Sequence, residues 1–99
     1  MKNLQTSATT TQDPDSPRMA YTDLLAACVN DVGKGINLAE QGKRLEILDV
    51  LNGVAPEQEI KLTHDQWAHV SKLYNARVWP LLHTAIKEVG DALAEEMKR

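Results

Sequence analysis

Apolar residues in the first half of the chain recur at Leu25, Val29, Val32, Ile36 and Ala39, in steps of four, three, four and three. That is the spacing of one face of a helix. Gly33 and Gly35 interrupt it, each costing about 1 kcal/mol relative to Ala inside a helix, so a break there competes with a continuous helix. The pattern predicts helices over about 19–33 and 36–52 and leaves open whether they join. Ser16 is a candidate cap with Pro17 in the first helical position, and Thr22 or Asp23 is the alternative. Asn52-Gly53, followed by Pro56, reads as a helix stop.

The end of the second segment is apolar on more than one side. Ile47, Val50 and Leu51 lie on one face, Leu45 and Leu48 on another. A helix apolar on two sides needs two surfaces to cover it. The loop that follows is polar apart from Val54, Ala55, Ile60 and Leu62, which are candidates to fold over the end of the helices.

Thr63 with Gln66 three residues later forms a capping box, and a helix is predicted from His64 to about Lys98. On a helical wheel Trp67, Val70, Tyr74 and Val78 share a stripe with Leu81, Leu82, Ala85 and Val89, on the far side of Pro80. Because the stripe keeps its phase through "NARVWPLLH", the reading is one long helix bent at Pro80. The proline removes the bond to the Ala76 carbonyl, at a cost of about 3 kcal/mol.

These elements predict an all-α protein. The expected form is an antiparallel helical hairpin or three-helix bundle with a long C-terminal helix bent near Pro80, self-associating into a helical bundle, with a homodimer as the expected state. Residues 1–18, polar apart from Leu4, Ala8 and the initiator methionine, read as a flexible tail, and 19–99 as a single helical domain. At 99 residues there is room for one domain with a small core.

Charge and chemistry narrow the function more than they define it. A net charge of −3 provides no positive field for nucleic acid or anionic membrane. Cys28, the single cysteine, lies in "LLAACV" and reads as a buried, inert thiol. No apolar stretch is long enough to span a membrane, and the first residues lack the apolar segment of a secretory signal, so a cytoplasmic protein is expected. His64, His69 and His83 include no pair at i, i+4 spacing, so no metal and no cofactor are expected. "GKG" lacks the spacing of a phosphate loop, and no nucleophile has a histidine near it in pattern, so an enzyme is not expected.

The nucleic-acid reading rests on outline. Two helices around a glycine turn resemble a helix-turn-helix whose second helix would present Asn37, Glu40, Gln41, Lys43 and Arg44. Only two of those five are basic, and this remains the alternative. The leading expectation is a non-catalytic protein-binding module, such as an inhibitor, adaptor or chaperone of the kind mobile elements encode. Its candidate contact residues are Trp79 and His83 beside the stripe and Arg77 near the bend.

Overall fold

A computed structural model describes residues 1–5, 20–79 and 84–98 of the chain. It is all-α: α1 covers Tyr21–Asn30, α2 Leu38–Asn52, α3 His64–Ala76 and α4 Thr84–Met97. α1 lies at the centre and packs against each of the other three, while α3 and α4 also pack together. Its Leu24, Leu25, Cys28 and Val29 meet Ile47 and Leu51 of α2, Trp67, Val70 and Tyr74 of α3, and Ala85, Val89 and Leu93 of α4 in one core. Ile60 of the loop before α3 is buried with them, and Val54 and Leu62 pack against the same core half-exposed.

α1 stops at Asn30, short of the predicted 33, with Asp31 extended, and the glycine turn separates it from α2. Gly33 and Gly35 have φ of +55° and +120°, left-handed values that a side chain disfavours, and the Gly35 amide closes a turn onto the Val32 carbonyl at 2.8 Å. Asn37 then caps α2, its side chain accepting from the Glu40 amide at 2.8 Å. The predicted stop at Asn52-Gly53 and the Thr63–Gln66 capping box are both present.

The long bent helix is not. α3 ends at Ala76, Arg77 is extended with ψ of 133°, and the helical pattern resumes only at Thr84. Pro80, with Leu81 and Leu82 of the proposed stripe, lies outside the described residues. The Tyr74 hydroxyl donates to the Ile86 carbonyl at 2.7 Å, and its ring lies 3.5 Å from where a Cβ on Gly90 would stand. Along a continuous helix Tyr74 and Gly90 would be about 24 Å apart, and no modest bend closes that gap. The chain therefore turns back on itself. The physical reason was available in "WP", since the residue before a proline is pushed out of the helical region. The preserved stripe arises because α3 and α4 each bury one face against α1. Val78, assigned to the stripe, is 90% exposed.

The first five residues, part of the 1–18 segment read as a flexible tail, are packed against the rest of the chain. They run beside the α2–α3 loop, with the Ile60 amide donating to the Met1 carbonyl at 2.7 Å and the Asn3 amide to the Gln58 carbonyl at 2.8 Å. The Met1 side chain enters the core, and its ammonium group lies 2.9 Å from a Glu59 carboxylate oxygen and 3.1 Å from one of Glu96. Composition counts side chains, and here the backbone supplies most of the attachment. The remainder of the predicted tail, with the Ser16-Pro17 start, lies outside the described residues.

Both ends of α1 are finished by distant residues. Ala20 at its N-cap offers no side-chain acceptor, so Leu4 O accepts from the Tyr21 amide at 2.8 Å and Asn3 Oδ1 from the Thr22 amide at 3.2 Å. At the other end, where α1 has no basic residue, Arg44 of α2 donates to the carbonyls of Val29 and Asp31 at 3.1 and 2.7 Å. Arg77 donates to the Ala27 carbonyl at 2.9 Å. Two guanidinium groups thus satisfy carbonyls that a helix end leaves open, where the macrodipole also favours a cation.

Candidate protein-binding surface

Of the residues singled out from the sequence, Arg77 and Trp79 are engaged within the chain. Arg77 is spent on α1: besides its bond to Ala27 it meets Asp31 at 3.4 Å, and its guanidinium stacks 4.7 Å above the Trp79 ring. Trp79 is half-buried, its ring 4.8 Å from that of Tyr74. Of the trio, His83 lies outside the described residues. An open cleft of about 450 Å³ adjoins Trp79, bordered by Asn75, Lys87 and Asp91 together with Ile86 and Ala94.

The more apolar surface lies on α2. This helix buries Ile47 and Leu51 against α1 and leaves the opposite face uncovered, with Leu38 85% and Leu45 62% exposed. Leu48 and Ile36 are half-buried beside them, and Val32 of the glycine turn is 44% exposed. Val32, Ile36, Leu45 and Leu48 border an open groove of about 340 Å³ running between α2 and the turn that precedes it, and Leu38 lies outside its lining. The two-sided pattern of Leu45 and Leu48 was the legible signal for this surface. Leu38 was missed because the sequence places it at a helix start, where no periodic neighbour precedes it.

α2 is held firmly enough to present that face. Glu40 and Arg44, one turn apart, pair at 2.9 Å, and His69 of α3 brings Nε2 to 2.6 Å from the same Glu40 oxygen. The Arg44 guanidinium, with smaller help from His69, holds the Glu40 carboxyl below its usual range against the opposing effect of burial. This network also weakens the helix-turn-helix outline. Arg44 is turned into the core and Glu40 is engaged, so only Lys43 of the five proposed base-reading residues offers a free cation.

Reactive groups are few. Burial pushes the Cys28 thiol up to about 12, against the lowering influence of Arg77 and Arg44, and the thiol donates to the Leu25 carbonyl at 3.0 Å. A thiol held protonated in this way is a poor nucleophile and metal ligand. Among the described residues no group of three or more His, Cys, Asp or Glu is placed to hold a metal ion, and no helix is long and apolar enough to cross a membrane. The chain matches no family model, no curated protein and no solved structure.

Proposed function

We propose that this protein is a non-catalytic binding module that engages another protein through the uncovered face of α2, acting as an adaptor, chaperone or inhibitor. The observation that supports it is an apolar cluster, Val32 and Ile36 of the turn with Leu45 and Leu48 of α2, lining one groove, with Leu38 also exposed at the start of the helix. Single exposed leucines are ordinary on a protein surface, but a cluster of them along one groove marks an interaction site. This reading moves the contact surface away from Trp79 and Arg77, which are occupied within the chain.

Photo-crosslinking in cells tests the proposal. A photoreactive side chain at position 45 of the full chain is expected to give discrete protein adducts that are missing when it replaces the exposed Lys87 on α4. Adducts that are the same at both positions, or absent at 45, overturn it.

A further inference from the structure

The Asn52-Gly53 step that stops α2 also has the makings of a chemical reaction. The chain has five asparagines, and the fold ties down the side chains of four. Asn3 accepts from the Thr22 amide, Asn37 accepts from the Glu40 amide, and the side-chain amides of Asn30 and Asn75 donate to the Ala26 and Ser71 carbonyls one turn earlier. Only the side chain of Asn52, which is exposed, makes no hydrogen bond to the described residues.

The residue that follows matters as much. Asn3, Asn30, Asn37 and Asn75 precede Leu4, Asp31, Leu38 and Ala76, whose Cβ atoms crowd the backbone nitrogen, whereas Gly53 has no Cβ. Gly53 is exposed and sits where the helical ladder runs out. Its amide reaches back to the Val50 carbonyl at 3.1 Å, and the Val54 amide to the Leu51 carbonyl at 3.4 Å. Such end turns are the first part of a helix to open.

We infer that Asn52 is a site of spontaneous modification, in which the Gly53 backbone nitrogen attacks the Asn52 side-chain amide. The nitrogen gives up its proton and bonds to Cγ, the Cγ–Nδ2 bond breaks, and Nδ2 leaves with a proton as ammonia, so that a cyclic imide remains. Water then opens the imide on one of two sides. Cleavage of the new bond to Cγ gives aspartate, and cleavage of the original peptide bond gives isoaspartate, in which the main chain runs through the side-chain carbons.

Both products disturb the end of α2. A carboxylate at position 52 meets the negative end of the helix dipole and stands one turn after Asp49. It also lies one turn beyond Leu48 and two beyond Leu45, so the charge arrives beside the uncovered face. Isoaspartate lengthens the main chain just before Val54 and Ala55, whose carbonyls receive the Asn3 side chain at 3.3 and 3.5 Å. Conversion therefore loosens the loop before α3 and the first residues held by it.

Ageing the full chain at mildly alkaline pH, with peptide mapping by mass spectrometry, tests the inference. Asn52 is expected to convert at least about tenfold faster than any other asparagine, with isoaspartate among its products. Gly53→Ala should slow that conversion about tenfold by restoring the Cβ. This variant keeps the fold, since φ at Gly53 is −90° and the added Cβ would stand 3.6 and 3.7 Å from the Asp49 and Val50 carbonyl oxygens. Another asparagine converting as fast as Asn52 would overturn the inference. So would a rate that Gly53→Ala leaves unchanged, or an intact Asn52 after a period in which the urea-unfolded chain has converted there.

Discussion

Leu25 and Leu45 are the same residue on neighbouring helices, and the structure treats them in opposite ways. Leu25 on α1 is fully buried, whereas Leu45 on α2 is 62% exposed. α1 is a short helix, ten residues long, whose ends are completed by Leu4, Asn3, Arg44 and Arg77 from elsewhere. α2 is fifteen residues long, carries its own cap at Asn37 and its own i, i+4 pair, and packs through one face. An element that borrows its ends from others must be surrounded. One that supplies its own can leave half of its surface for another purpose.

The sharpest break in this comparison is to truncate both leucines. Leu25→Ala should destabilise by about 2–5 kcal/mol, through lost burial and the cavity left behind, while Leu45→Ala should stay within about 0.5 kcal/mol. Urea unfolding reads both, and a large loss at Leu45 would mean that its face is covered within the protein. Next in size is Arg44→Ala, which leaves two α1 carbonyls without their donor and Glu40 with a weaker set of partners. A loss of about 2–4 kcal/mol is expected by thermal or urea unfolding.

Asn3→Ala sharpens the other end of α1. It removes the acceptor for the Thr22 amide and the donor to the Val54 and Ala55 carbonyls, for about 1–3 kcal/mol. A neutral result would show that the first residues contribute little to holding α1. Gly42→Ala has the opposite sign: with nothing within 4 Å of the added Cβ, it should raise stability by up to about 1 kcal/mol in urea unfolding.

The smallest effect is on acid stability. Because the folded Glu40 carboxyl titrates below its usual value of 4.5, its contribution is present above that pH and is lost as the pH falls through the lowered value. Glu40→Gln should therefore show a shallower loss of stability on acidification in this range than the unaltered chain does, measured by urea midpoints across the pH series.

Much of the fold was legible in local chemistry. The glycine break, the Asn52-Gly53 stop and the Thr63–Gln66 box are short-range signals whose meaning does not depend on the rest of the molecule. Two errors came from properties that are not local. A wheel cannot distinguish a stripe along one helix from matching stripes on two helices that face the same neighbour, so the turn after Ala76 was read as a bend. The first five residues bond mainly through their backbone, which leaves no trace in side-chain polarity. The uncovered face of α2 was half legible: Leu45 and Leu48 announced a second apolar face, but only the packing shows which face remains uncovered. The contacts of Trp79 and Arg77 with Tyr74 and α1 were not legible, because residue types common at interfaces also serve to pack a chain turn.

The completion of α1 by distant residues also bears on the order in which the protein is made. α1 leaves the ribosome before α2, α3 and α4, yet a helix of ten residues is marginal alone in water. One of its capping groups, Arg44, comes later in the chain, and Arg77 later still. Asn3 precedes α1 but is held by carbonyls of Val54 and Ala55. The hub of the fold therefore gains its full set of partners only after α4 has been synthesised, so the nascent chain acquires its core late.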